Sequence, residues 1–272
     1  MTHMLPAYAA AARGYRETLA LSGRRELDQL NRLASAHTLV VAGNYDRAED
    51  VLGALSVPYR SVRRSKRCAA DLRRVRTIIV NCSTSGDEVD VESLRRFVAG
   101  GGTIVTTDWA LFDVVEEAFP CFIEANGQRT ADDVVSVELG DAGQRFLGDL
   151  VTPGDEPRWW LELSSHPIRI LRKRDVDVLI QSREMGRRYG DDPIAVRFRH
   201  GGGWVYHLVS HLNLQRTKAA SAREQASASG FLLAKGAKDA ATACGDVRFG
   251  ELAAAYLSVG LLARILTAAR EG

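Results

Sequence analysis

Several side chains able to do chemistry follow apolar segments of this chain. Cys82 ends the apolar run that begins at Arg76, Asp108 follows Thr103 to Thr107, and His211 closes a glycine-initiated segment. In parallel α/β proteins, ligands meet the carboxyl ends of the strands. A carboxylate and an imidazole at such ends predict acid/base chemistry or a polar ligand site.

The segment Phe97 to Phe112 predicts the end of a helix, a glycine turn, a buried strand and a sharp turn at Thr107, Asp108 and Trp109. Many α/β enzymes present a nucleophile on such a turn. A carboxylate is a weak acyl acceptor, and Thr107 would need a strong adjacent base. Asp108 could therefore pair with His211, ligate a metal or polar group, or cap the helix predicted over 109–119.

Cys82 is an alternative nucleophile, because small polar residues follow it at the end of a strand. We expect it to be a buried thiol with a structural role. The following loop could offer backbone N–H groups to an anion. With Cys82, the predicted ligand-binding residues are Asn44, Ser83, Thr84, Ser85, Gly86, Trp109 and His166.

Metal binding is not expected from the spacing of the histidines and cysteines. The four cysteines form no CxxC pair, which argues against a zinc site and a disulfide framework. His207 and His211 could share a metal with Asp108, but four residues along a strand separate them by ~13 Å. Joint ligation would require the strand to end first, and no metal or cofactor is predicted.

Composition indicates a globular protein without a polyanionic partner. The 36 basic and 34 acidic residues give a net charge of +2, too balanced for the electrostatic binding of nucleic acid. We see no signal-peptide pattern and no run of about 18 apolar residues to cross a bilayer. The expectation is a cytoplasmic protein with no membrane or nucleic-acid partner.

The order of patterns predicts a flavodoxin-like, doubly wound, mostly parallel α/β sheet flanked by helices, spanning 37–272. An N-terminal helical extension, 1–36, is expected to precede it. Strands are expected at His37 to Gly43, Tyr59 to Val62, Arg76 to Cys82 and Thr103 to Thr107, and then at Asp133 to Leu139, Trp160 to Leu163, Ile168 to Leu171, Val176 to Gln181, Ile194 to Phe198 and Gly203 to Val209. Helices are expected at Asp46 to Leu55, Val91 to Ala99 and Phe249 to Ala269, and loops at Pro157 to Trp160 and Arg183 to Asp192.

These patterns, with Gly201 to Gln215, resemble the class I glutamine amidotransferase-like superfamily, in its trehalose-utilisation (ThuA-like) and other non-amidotransferase branches. The resemblance implies that Asp108, or Thr107 if the register slips by one, stands at the cysteine nucleophile position and His211 at the general base position. It also implies that Asn213 replaces the glutamate that orients the base. An amide can hold a tautomer but cannot stabilise an imidazolium as a carboxylate does.

The function expected from this resemblance is a non-catalytic ligand-binding or protein-assembly module without glutaminase activity. A protein partner or a second copy of the chain is expected, and a small-molecule ligand is possible. The alternative is a hydrolase that uses Asp108 and His211 as an acid/base pair. A third reading, a glutaminase using Cys82, predicts that a glutamine-analogue electrophile labels that thiol.

Overall fold

The computed structural model of the protein describes residues 4–63, 72–82, 90–217 and 221–269. Its strands are β1 (Thr38–Ala42), β2 (Arg60–Arg63), β3 (Thr77–Val80), β4 (Thr103–Thr107), β5 (Ile123–Ala125), β6 (Asp133–Ser136), β7 (Glu138–Leu139), β8 (Arg158–Leu161), β9 (Ile168–Ile170), β10 (Val176–Gln181), β11 (Pro193–His200) and β12 (Gly203–Leu208).

The α-helices are α1 (Leu5–Leu21), α2 (Arg25–Asn31), α3 (Ala48–Ala54), α4 (Val91–Ala99), α5 (Asp141–Leu147), α6 (Arg183–Tyr189), α7 (Ala222–Gln225), α8 (Ser229–Ala234), α9 (Lys238–Thr242) and α10 (Phe249–Ala268). A π-helical segment, Leu111–Glu116, follows β4.

Eight strands form the central sheet in the order β2-β1-β3-β4-β12-β11-β10-β7. The first five are mutually parallel, and β11, β10 and β7 continue the sheet through antiparallel pairs. The predicted mostly parallel sheet flanked by helices is confirmed. The strand order reverses between β1 and β3, and ligands of α/β sheets bind at such reversals.

Burial and local chemistry explain the central strands. All residues of β3 and β4 are buried, as expected for strands of a parallel sheet covered on both faces. Asp90 accepts a hydrogen bond from the Ser93 backbone N–H at 3.0 Å, so it caps α4 as predicted.

Helix α10 forms a large part of the core and packs against α1, α2, α7 and α8. Tyr15 of α1 contacts Tyr256 of α10 edge to face at 5.7 Å. By length and composition α10 could cross a membrane, but 89% of its most apolar window is buried inside the protein. Glu251 and Arg264 interrupt its apolar residues, and the burial is that of a core helix.

Several predicted elements differ from the observed ones. Residues 183–189, expected as a loop, form α6, which Ser182 caps at its start and Gly190 ends in a left-handed conformation. Arg158–Leu161, assigned partly to a loop, is β8. The stretch after His211 contains the short helices α7, α8 and α9. Local capping and cross-strand pairing outweighed polarity in these places.

Candidate functional site

Asp108 lies on a sharp turn directly after β4, with a φ of 51°. Aspartate tolerates this left-handed conformation better than most residues. The Asp108 backbone N–H donates to the Leu208 carbonyl at 2.9 Å, which continues the pairing of β4 with β12. The backbone therefore holds the Asp108 carboxylate at the carboxyl edge of the sheet.

Asp108 does not cap the following helix with its side chain. The π-helical segment begins at Leu111, its N-terminus has no side-chain cap, and Trp109 lies before it. The Asp108 backbone carbonyl accepts from the Leu111 N–H, while its side chain is buried. The interpretation of Asp108 as a side-chain cap is wrong, whereas the helix predicted over 109–119 is present as a helical stretch over 110–118.

His211 lies three residues beyond β12 and is fully buried. Its Nε2 lies 3.5 Å from Asp108 Oδ2, so the structure brings the two predicted residues together. The loop after His211 is fixed by Asp46, which accepts hydrogen bonds from the backbone N–H groups of Leu212 and Asn213 at 3.2 and 3.3 Å.

Glu162 is a further acidic partner of His211. Its Oε2 lies 2.5 Å from His211 Nε2, closer than the Asp108 carboxylate. Burial alone would lower the pKa of His211, but Asp46, Asp108, Cys82 and Glu162 together raise it well above its usual value. The imidazole is therefore surrounded by groups that favour its charged form.

Cys82 joins this group from the end of β3. Its Sγ lies 3.5 Å from Asp108 Oδ2, and its backbone N–H donates to Thr107 Oγ1 at 3.0 Å. Burial raises the pKa of the Cys82 thiol to about 11, and the Asp108 charge adds to this while His211 opposes it. The predicted buried thiol is observed, but it contacts charged groups.

A cavity of about 290 Å³ opens beside these groups. Its rim includes the partly exposed side chains of Tyr45 and Leu163. The full lining consists of Tyr45, Cys82, Asp108, Trp109, Glu162, Leu163 and Ser164. The cavity therefore combines apolar surface with two carboxylates.

His166 lies behind this cavity rather than on its lining. Its ring contacts Trp109 and Phe112 edge to face, at centroid distances of 5.5 and 4.6 Å. Neither ring nitrogen has a hydrogen-bond partner within the described residues. Burial lowers the pKa of His166, although the Asp108 charge opposes the change.

The remaining predicted site residues have different places. The side-chain amide of Asn213 donates a hydrogen bond to the Asp50 carboxylate at 3.1 Å. Because this bond does not involve His211, it gives no support to the prediction that Asn213 orients the imidazole. Asn44 donates its backbone N–H to the Cys82 carbonyl, and its neighbour Tyr45 lines the cavity. The predicted loop residues Ser83, Thr84, Ser85 and Gly86 lie outside the described residues.

His207 is buried away from the cavity and bonds to Thr106 Oγ1 through Nδ1 at 2.9 Å. Burial lowers the pKa of His207 to about 3, so its imidazole is neutral. Strand β12 ends at Leu208, before His211, so the condition that the sequence set for joint ligation is met; among the described residues, however, His211 is grouped with Cys82 and Asp108.

Sequence reasoning missed Glu162 as a member of the site. The polar position of Glu162 right after a Trp-Trp-Leu strand was the available signal. Cys82, Asp108 and His211 each offer one ligand atom, and the three atoms lie within 4.8 Å of one another. These residues could therefore hold a metal ion.

No family model matches the chain, and no curated protein matches its sequence. Solved structures do match at low identity. They include a putative ThuA-like protein from Bacteroides uniformis, with a TM-score of 0.47, 13% identity, and coverage of 68% of this chain and 84% of that one.

A cytoplasmic protein from Salmonella typhimurium has a TM-score of 0.43 and 14% identity, with 65% of this chain and 88% of that chain covered. A β-galactosidase from Bacillus circulans sp. alkalophilus has a TM-score of 0.41 and 16% identity over 68% of this chain. The chain spans 31% of that enzyme and of a mannosidase from an Opitutaceae bacterium. The sheet and its carboxyl-edge cavity define the class, an α/β protein with a buried acidic and histidine-containing site.

Proposed function

We propose that this protein is a small-molecule-binding module of glutamine amidotransferase-like, ThuA-like architecture that does not hydrolyse glutamine. The observation that carries the proposal is the Asp108 carboxylate on the turn after β4, 3.5 Å from His211 Nε2. The position that the resemblance assigns to a nucleophilic thiol thus holds an acyl acceptor of low reactivity.

The nearest thiol does not supply the missing nucleophile. Cys82 Sγ lies 3.5 Å from the Asp108 carboxylate, and a neighbouring negative charge disfavours a thiolate. The cavity itself supports binding, because Trp109 and Leu163 offer apolar surface beside Asp108 and Glu162. Ligand pockets commonly combine an apolar lining with a few polar groups.

The test is ammonia release from glutamine by the purified full chain, paired with labelling by a glutamine-analogue electrophile. We expect no ammonia above the rate without protein and no label on Cys82. The variant Asp108→Cys places a thiol on the turn, so its labelling is the positive control that the electrophile can reach the site. Ammonia release by the native chain that Cys82→Ser abolishes would overturn the proposal.

A hydrolase using Asp108 and His211 as an acid/base pair is the second candidate. The φ of 51° at Asp108 favours it, because backbone strain is often stored at active sites. The test is hydrolysis of a chromogenic ester series. This candidate requires turnover that Asp108→Asn lowers by about 100-fold or more, while the exposed Glu117→Gln keeps the native rate. Equal rates in all three proteins would eliminate it.

The expected protein partner or second copy is proposed to contact the cavity rim. Leu163 is 65% exposed and Tyr45 is 47% exposed there, and exposed apolar side chains grouped together favour contacts between proteins. Analytical ultracentrifugation over a concentration series tests self-association. A second copy predicts a dimer that Leu163→Ser weakens, whereas a monomer at all concentrations would remove this part of the proposal.

A further inference from the structure

The ends of β3, β4 and the segment after β12 bring a thiol, a carboxylate and an imidazole to one point. Cys82, Asp108 and His211 are all buried, and one ligand atom from each lies within 4.8 Å of the others. Three donors of different chemistry from three separate segments are a stronger signal than a cluster of acids. Thiolate, imidazole and carboxylate are the groups that bind Zn²⁺ in proteins.

We propose that Cys82 Sγ, Asp108 Oδ2 and His211 Nε2 bind a divalent transition-metal ion of the zinc type. This inference goes beyond the proposed function and does not depend on it. It departs from the sequence expectation of no metal, which rested on cysteine and histidine spacing and did not consider a site assembled from three strand ends.

The distances fit a tetrahedral ion. With Zn–S of about 2.3 Å and Zn–O and Zn–N of about 2.0 Å, tetrahedral ligands lie ~3.5 Å apart for S and O, and ~3.3 Å apart for O and N. The observed separations are 3.5 Å from Cys82 Sγ to Asp108 Oδ2 and 3.5 Å from Asp108 Oδ2 to His211 Nε2. The third separation, from Cys82 Sγ to His211, is within 4.8 Å and must close toward ~3.5 Å when a tetrahedral ion binds.

Unpartnered buried atoms provide an independent observation. Asp108 Oδ1 and His211 Nδ1 have no hydrogen-bond partner within the described residues, and buried polar atoms without partners are unfavourable. An ion at this point would neutralise the Asp108 carboxylate and would take the place that Glu162 now has beside His211 Nε2. Nearby Asp46 and Glu162 add negative charge that favours a cation.

Glu162 defines the fourth position. Its Oε2 lies 2.5 Å from His211 Nε2. Two oxygen or nitrogen ligands of one zinc ion lie ~3.3 Å apart, so Glu162 would have to move by ~0.8 Å to bind the same ion. Its side chain is 23% exposed and borders the cavity, so it can move outward. The proposed site thus has three protein ligands and a fourth position open to Glu162 or a cavity ligand.

The experiment is titration of the full metal-free chain with Zn²⁺ against a chromogenic chelator, and separately with Co²⁺ followed by absorbance. We expect one ion per chain and a thiolate-to-cobalt charge-transfer band. Cys82→Ser should remove that band and weaken Zn²⁺ binding by at least about 100-fold, the upper end of the loss seen when only a supporting residue is changed.

Asp108→Asn, nearly the same shape, is the second variant in case Cys82→Ser does not fold, and it should also weaken Zn²⁺ binding. Cys121→Ser is the matched control, because Cys121 is an exposed thiol outside the cluster; it should keep native affinity. Binding of less than about a tenth of a Zn²⁺ ion per chain would overturn the proposal. Native Zn²⁺ affinity in both Cys82→Ser and Asp108→Asn would overturn it as well. Because ammonia release from glutamine is a separate readout, failure here leaves the proposed function unaffected.

Discussion

Glu162 Oε2 lies 2.5 Å from His211 Nε2, although 48 residues stand between the two in the chain. His211 thus has an acidic partner from the segment after β8. The resemblance to the class I glutamine amidotransferase-like superfamily instead implied a partner two residues after the histidine, at Asn213. The carboxylate beside this imidazole therefore comes from a segment that the resemblance did not indicate.

Tyr8 connects α1 to the segment that carries His211. Its hydroxyl donates to the Leu212 carbonyl at 3.1 Å and accepts from the Leu214 N–H at 2.7 Å. Tyr8→Phe leaves both backbone groups without that partner, so we expect a loss of about 1–3 kcal/mol in the free energy of unfolding. Urea denaturation measures it. Tyr45→Phe, at an exposed tyrosine, is the control and should change stability by less than about 0.5 kcal/mol.

Removal of residues 1–36 tests whether the N-terminal helices form a separable extension. Tyr8, Tyr15 and Leu19 of α1 are buried, and α1 packs along α10. We expect the chain 37–272 to lose its cooperative unfolding transition, because the exposed face of α10 would be strongly apolar. Circular dichroism during urea titration measures this. A truncated chain as cooperative as the full one would contradict the expectation.

Gly43 follows β1 at a close backbone approach. A Cβ atom there would lie 2.0 Å from the Cys82 carbonyl oxygen, so Gly43→Ala must shift the ends of β1 and β3. We expect a loss of about 1–3 kcal/mol in stability. Gly53→Ala is the matched control, since nothing lies within 4 Å of its added Cβ and alanine favours the interior of α3; it should gain about 0.5–1 kcal/mol. Equal effects of the two changes on the denaturation midpoint would refute the argument.

His207 predicts a specific acid sensitivity. Burial lowers its pKa to about 3 in the folded protein, whereas an unfolded histidine titrates near ~6.5. Between these values only the unfolded state binds the proton, so stability falls as the pH falls through this window, by about 2 kcal/mol at pH 5 from this residue.

The measurement is the difference in unfolding free energy between pH 7 and pH 5 for the native chain and for His207→Gln. The variant should lose about 2 kcal/mol less over that interval. If the variant and the native chain show the same dependence, His207 is not the responsible group.

The central sheet was predictable because its strands carry their signal locally. Thr103 to Thr107 and Val91 to Ala99 have the predicted bounds, since an uninterrupted apolar run and a capping Asp90 leave few alternatives. Helix α6 was missed because its arginines and glutamate resemble a polar loop. The signals that could have found it are Ser182 at its start and Gly190 after its end.

The candidate site was predictable only where residues follow strands of the parallel sheet. Asp108 and His211 could be paired because carboxyl ends of parallel strands share one edge. Glu162 could not be placed in this way, because it follows β8, which pairs with β6 in a separate two-stranded sheet. The position of that sheet over the cavity depends on tertiary packing, which no local pattern encodes.

The parallel pairing of β4 with β12 aligns Thr107 with Leu208, one residue before Asp108 and three before His211. The separation between the backbones of Asp108 and His211 is thus set by main-chain hydrogen bonds rather than by the identity of either side chain. Other side chains substituted at positions 108 and 211 would extend from the same two Cα positions. The fold therefore offers protein engineers a pair of attachment positions whose geometry is independent of the chemistry placed on them.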